Sequence, residues 1–357
     1  MKPINKLSLI FLILLIIIMP ILFFILNSVT NKQIEENALT AQNYARVSAE
    51  REAKKEEEYA RISKEIPGIV CIGSDLMAST GTVNTYFTKD LQDKLSEDEY
   101  RLQIANLSVA GENIYTILGR IGVIPFVVAD TVTIPEVSDL IEINLKSSAD
   151  GVSVWPLAVS ADNANFNPVT VGGFTGMIGG ESQRDPETGE NKHYFVRTED
   201  GEPFTINAGS VVNTSSDDEY KDYVHIIWVG ENDKWSDWIE LADHIQQIID
   251  SCGKNKDKYI VMGLITGSNT GMAEYDSIMT ERFGSHFLNV RKYLSEYNLY
   301  KTTVDYTDKD FEQQEQGIVP SCFLQDNGNL NDDAYELLVD YVYEGLVQNN
   351  CIEKPVN

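Results

Sequence analysis

The chain has 357 residues, enough for two to three domains and a large buried core. Its 28 Lys plus Arg against 55 Asp plus Glu leave a net charge of −27, the wrong sign for gripping a phosphate backbone, which argues against nucleic acid as a partner. Hydrophobic residues at 43% and charged residues at 23% lie in the globular range and exclude disorder throughout.

The first element is an apolar run from Leu7 to Leu26, interrupted only by Ser8 and Pro20. Its length of about 20 residues matches a hydrocarbon core roughly 30 Å thick. Bulky Phe23, Phe24, Ile25 and Leu26 stand where a cleaved signal peptide carries small residues, so the run reads as an uncleaved transmembrane anchor over residues 7–27. Lys2 and Lys6 precede it and Glu35 and Glu36 follow soon after. The positive-inside bias leaves residues 1–6 in the cytoplasm and everything after the anchor outside, a single-pass plasma-membrane topology. Residues 28–66 are rich in Glu, Lys, Arg and Ala, with no Pro or Gly before their end, and predict a helix. Ile34, Leu39, Val47 and Ile62 do not sustain a heptad, so this reads as a solvated stalk.

Beyond Pro67, strands and helices alternate. GIVCIG (68–73), RLQIANLSV (101–109), YVHIIWVG (223–230), KYIVMGLI (258–265) and SHFLNV (285–290) read as strands. The stretch from residue 74 to 95, WSDWIELADHIQQIIDS (235–251), EYDSIMTERFG (274–284) and DAYELLVDYVYEGLVQ (333–348) read as helical; in the last, Tyr335, Leu338, Val339, Val342 and Leu346 fall at helical spacing. Such alternation predicts an α/β fold with a parallel sheet covered on both faces and working loops at the strands' C-terminal ends. Residues 120–222 differ. VIPFVVADTVTI, LIEINLK, SVWPLAV, NPVTVGGF and HYFVRT are β-branched segments parted by Gly, Pro, Asn and Asp, which predicts a β-rich insert, a small sandwich or barrel, within an α/β domain of residues 67–119 and 223–357.

The four cysteines, Cys71, Cys252, Cys322 and Cys351, lack any C-x-x-C spacing, and only four His are scattered through the chain, so no structural metal is indicated and no disulfide is assigned. Neither G-x-x-x-x-G-K-[ST] nor G-x-G-x-x-G occurs, and no cofactor is expected.

Four loops carry polar residues that could converge: GSDLMAST after the first strand, VAGEN after the second, GENDKW after the third and QDNGNLND before the last helix. Their order and spacing resemble those of the SGNH (GDSL-like) hydrolases, esterases and deacetylases on a flavodoxin-like parallel sheet, over residues 67–349. The family's blocks read G-D-S-L-T-A-G, a Gly, G-x-N-D and D-x-x-H-L-N. Gly111 fits the second, Gly230, Asn232 and Asp233 the third, and Asp326, Leu330 and Asn331 the last. The insert resembles that of a subgroup with a β-domain in this place.

Two departures dominate. Ser74 falls at the Asp position and Asp75 at the nucleophile position, while Asn329 falls where the family has its His. A carboxamide does not titrate near working pH and cannot take a hydroxyl's proton, and a carboxylate at position 75 places negative charge where an oxyanion develops. The resemblance implies that three oxyanion donors survive: the backbone N–H groups of Asp75 and Gly111 and the side-chain amide of Asn232. Ser74 as a transposed nucleophile is the rival, weakened because successive residues leaving a strand point in different directions. His225, His244, His193 and His286 lie in strands, a helix and the insert, and offer no evident base. Trp235 and Trp238, at i and i+3, could stack on a sugar ring or face the core. The expectation is therefore a membrane-anchored, extracytoplasmic SGNH-like protein, degenerate as an esterase and binding carbohydrate or cell-wall material. A working esterase built on Ser74 and a structural partner in an envelope complex are the alternatives.

Overall fold

The computed structural model describes residues 6–83, 85–149, 154, 166–180 and 192–355. The chain divides into two compact units, Met1–Arg61 with Pro355–Asn357, and Ile62–Lys354.

The first unit is built on helix α1, Lys6–Glu65, which is uninterrupted through Pro20 and through the junction between the apolar run and the charged segment. Its apolar end is long enough to cross a membrane, and the apolar side chains from Leu14 to Leu26 lie uncovered, Phe24 at 76% exposure. Such a helix is compatible equally with a signal sequence or a membrane span.

In the second unit, strands β1 (Ile69–Gly73) and β2 (Ile104–Asn106) flank helix α2 (Phe87–Glu97), and helix α3 (Ile114–Arg120) follows. After the insert come β12 (Val224–Trp228), α5 (Trp238–Ser251), β13 (Tyr259–Met262), α6 (Ala273–Phe283), β14 (Phe287–Leu288), α7 (Val290–Ser295), α8 (Asp308–Glu315) and α9 (Asp332–Gln348). The five strands form one sheet in the order β14-β13-β12-β1-β2, all parallel. That is the flavodoxin order with its switch point between β1 and β12. The period-2 alternation explains why the strands are apolar throughout: Ile69, Cys71, Ile226, Ile260 and Met262 pack beneath α2 and α9, and Val70, Ile72, Ile227 and Val261 beneath α3, α5 and α6.

The expected elements stand with four differences. Only Phe87–Glu97 of the stretch 74–95 is helical; residues 74–83 form turns, with Ser79 at φ 53. SHFLNV contains just the two-residue strand β14, because His286 ends a 3-10 turn and Val290 begins a helix. RLQIANLSV shortens to β2, since beyond Asn106 the chain already bends into the site loop. Short helices α3, α7 and α8 were too brief for periodicity to mark.

The insert holds β3 (Phe126–Val128), β4 (Val132–Ile134), β5 (Ile141–Ile143), β6 (Leu145–Ser147), β7 (Val169–Val171), β8 (Phe174–Gly180), β9 (His193–Arg197), β10 (Phe204–Ile206), β11 (Val211–Asn213) and the short helix α4 (Ser216–Glu219). Seven strands form an antiparallel sheet, β5-β9-β8-β7-β11-β3-β6, beside the pair β10-β4. SVWPLAV lies outside the described residues apart from Val154, which is buried. The insert has its own core of Phe126, Val128, Val169, Val171, Phe195 and Ile206. It is fastened to the sheet domain where the Arg120 carbonyl accepts Thr214 Oγ1 at 2.9 Å and Ser216 Oγ at 2.6 Å. Cys252, Cys322 and Cys351 are free thiols, and burial pushes each up to about 12.

Candidate functional site

The loops at the C-terminal ends of β1, β2 and β12 meet beside the switch point. Each is stiffened by a helix that starts directly after it. Asn113 caps α3 by accepting the Thr116 N–H at 2.9 Å, and Asp237 caps α5 by accepting the Ile239 N–H at 2.8 Å. Asp233 adds a further acceptor at the start of α3, on the Ile114 N–H at 3.0 Å; burial pushes its carboxyl up to about 6.

Asp75 is the hub. Its Oδ2 accepts the Gly111 N–H at 2.8 Å and the Asn232 Nδ2 amide at 2.7 Å. These are two of the three groups that the sequence marks as oxyanion donors, and the carboxylate of the chain's own loop sits on them. Gly111 takes φ 81, a left-handed conformation that turns its N–H toward Asp75 without a Cβ penalty.

Ser74, 1% exposed, points inward. Its hydroxyl donates to Glu231 Oε1 at 2.7 Å and accepts from Asn232 Nδ2 at 2.9 Å. The expected change of direction between neighbours holds with respect to Gly111, but Ser74 stays within reach of Asn232. That amide also donates to the Glu112 carbonyl at 3.1 Å, so its two hydrogens serve three acceptors.

Glu231 joins this cluster without having been singled out from the sequence. It occupies the variable position of G-x-N-D; an acid there, in a run leaving a buried strand, is the signal the sequence offers. Its Oε2 is enclosed without a hydrogen-bond partner, and burial pushes the carboxyl up to about 7, opposed by the Ser74 hydroxyl and reinforced by the charge of Asp75. Glu112 was likewise passed over. It forms a buried ion pair with Arg120, both side chains 1% exposed, with Arg120 Nε at 3.1 Å. The pair joins the second site loop to the root of the insert, where the guanidinium lies 5.1 Å over the Phe166 ring.

The last loop stands apart. Asp326 is exposed, and Asn329 is tied only within its own turn, its N–H donating to Asn327 Oδ1 at 3.0 Å and its carbonyl accepting the Gln325 N–H at 2.7 Å. No hydrogen bond among the described residues joins either of them to Ser74 or Asp75. Contact with the first loop runs instead through Gln325, whose Nε2 donates to the Thr80 carbonyl at 3.2 Å, and through Tyr335, whose hydroxyl donates to the Leu76 carbonyl at 2.6 Å. Trp235 and Trp238 both pack on the core: the Trp235 indole donates to the Gly230 carbonyl at 2.8 Å, and Trp238 meets Tyr275 edge-on at 5.1 Å. Both indoles remain half-buried. Among the described residues no group of His, Cys, Asp and Glu could hold a metal ion.

No family model and no curated protein matches the chain. Among solved structures it is similar to TesA, at 11% identity and a TM-score of 0.39, covering 79% of this chain and 99% of that one. It is similar also to a lipase/acylhydrolase from Enterococcus faecalis, at 10% identity and a TM-score of 0.39, covering 81% and 99% of the two chains. The psychrotrophic esterase EstA from Pseudoalteromonas sp. is a third, at 11% and 0.36, covering 79% and 97%. At such TM-scores these likenesses carry no weight for activity. The class of the protein, an α/β fold with a flavodoxin-order parallel sheet and a β-rich insert, is set by its own strand order.

Proposed function

We propose that the chain is a hydrolytically silent protein of the SGNH type, held at the plasma membrane by its N-terminal helix with the folded part outside, and acting by binding. One observation carries this reading: Asp75 Oδ2 occupies the Gly111 and Asn232 donors that acyl transfer requires for the developing oxyanion. A resident carboxylate there opposes a second negative charge, and preorganised donors already spent on it stabilise nothing else. Asn329 as the substitute for a titratable base supports the same reading. The ligand class that suits these donors is a neutral sugar or its acyl carbonyl, as found in acetylated cell-wall material, with Asp75 displaced.

The test is turnover of short acyl esters by the full chain in detergent, alongside labelling by a reactive phosphonate ester. The expected result is turnover no faster than a heat-treated control and no label. A second reading has an observation in its favour, since the 2.7 Å bond from Ser74 to Glu231 is a hydroxyl on a carboxyl whose pKa lies near neutrality. Turnover abolished by both Ser74→Ala and Glu231→Gln would replace the silent reading with that one. For topology, protease added to intact cells is expected to remove the folded part; a part protected until cells are opened overturns the outside placement.

A further inference from the structure

Glu231 is a buried acid that the silent reading leaves without a role. Its Oε1 takes the Ser74 hydroxyl at 2.7 Å and, more distantly, the Leu76 N–H at 3.4 Å, while Oε2 has no partner. The Asn232 amide, two bonds' reach away through Ser74 Oγ, is committed to Asp75 Oδ2 at 2.7 Å and to the Glu112 carbonyl at 3.1 Å. Donors in this corner are fewer than acceptors. Neutral, Glu231 makes no further demand. Ionised, it becomes a second carboxylate near Asp75, held on Oε1 by the Ser74 hydroxyl and the Leu76 N–H, with Oε2 unpartnered and the Asn232 side-chain amide already spent.

We propose that Glu231 gates the site as a proton-operated latch: protonated, it leaves Asp75 seated on the Gly111 and Asn232 donors, and on losing its proton it unseats Asp75 and opens those donors to a ligand oxygen. The step rests on the binding reading above and adds the condition under which the site becomes available. Its working range is set by burial, which pushes Glu231 up to about 7. The other titratable groups that face Glu231 are Asp75 in the first loop, Tyr275 on α6 and Tyr335 on α9; burial pushes both phenols up, so they stay neutral throughout. Asp233, on the same loop as Glu231, titrates lower and bonds Ile114 rather than Gly111.

The Gly111 amide reports the latch directly, because it donates to Asp75 alone. Ala–Gly occurs twice in the chain, at Gly111 and at Gly209 in the insert. Full-length protein in detergent micelles, labelled with [1-13C]alanine and [15N]glycine, therefore yields two filtered amide signals, one of them an internal control. Titration from pH 5.5 to 8.5 is expected to move the Gly111 proton signal upfield with a midpoint near 7, away from its carboxylate-bonded position, while Gly209 stays still. Glu231→Gln is expected to abolish the movement. Should that variant fail to fold, Asp75→Asn serves, since a neutral amide at position 75 is not repelled and the Gly111 signal should stay flat. A flat wild-type Gly111 signal, or a shift near 7 that survives in Glu231→Gln or in Asp75→Asn, overturns the latch. These outcomes leave the silent reading standing, which falls only on Ser74-dependent turnover.

Discussion

The two ends of the candidate site differ in how their polar groups are satisfied. At the nucleophile end, Ser74, Asp75, Gly111, Glu231 and Asn232 are drawn into one hydrogen-bonded knot across three loops. At the base end, Asp326 and Asn329 belong to a turn that satisfies itself and faces solvent. A loop wedged between a buried strand and its neighbours must satisfy every polar group it carries, so substitution there produces new internal partners. A loop at the surface has water as its partner and can lose its working residue at no structural cost.

That contrast is broken most severely through the ion pair beneath the knot. Glu112→Ala removes the buried carboxylate that Arg120 pairs with, and is expected to lower unfolding free energy by about 3–5 kcal/mol in urea titration; a loss below about 1 kcal/mol would remove the pair from the account. Burial also pushes the Glu112 carboxyl up against the pull of Arg120, so its pairing is tight only while Arg120 stays in place.

The next effect is on pH dependence. Burial pushes the Glu231 carboxyl in the folded chain up to about 7, above its ordinary value of 4.5. At low pH the acid is neutral in both states and has no effect. As pH rises above 4.5 the unfolded chain loses this proton and the folded chain keeps it, so stability falls until about pH 7 and then levels, by about 3 kcal/mol in all. Thermal unfolding between pH 4.5 and 8 should show this fall in the wild type and its absence in Glu231→Gln; parallel profiles for the two would contradict the buried acid.

The smallest effects sharpen the comparison. Asn232→Ala strips a donor from Ser74, Asp75 and the Glu112 carbonyl, and is expected to cost about 1–3 kcal/mol. Asn329→Ala and Asp326→Ala should each stay within about 0.5 kcal/mol, since Asp326 is exposed, Asn329 is half-buried in a turn bonded through its own backbone, and no hydrogen bond among the described residues joins either to the Asp75 cluster. Equal losses at both ends, measured by urea unfolding, would erase the distinction between them.

By itself the sequence determined the frame. Apolar runs such as those around Ile69 and Ile226 and the helical spacing from Tyr335 to Leu346 follow from local periodicity, because burial on one face or on two imposes a repeat that neighbouring residues carry. It also determined which side chains stand at the candidate positions, an Asn at 329 and an Asp at 75. Tertiary structure decided what those residues became. Asp75 meets Gly111 from 36 positions away, and Ser74 meets Glu231 from 157. Whether a carboxylate turns outward to a ligand or inward onto a backbone N–H depends on side-chain direction at a strand end and on where distant loops arrive. Hydrogen bonds reward only distances near 3 Å, which no spacing along the chain encodes.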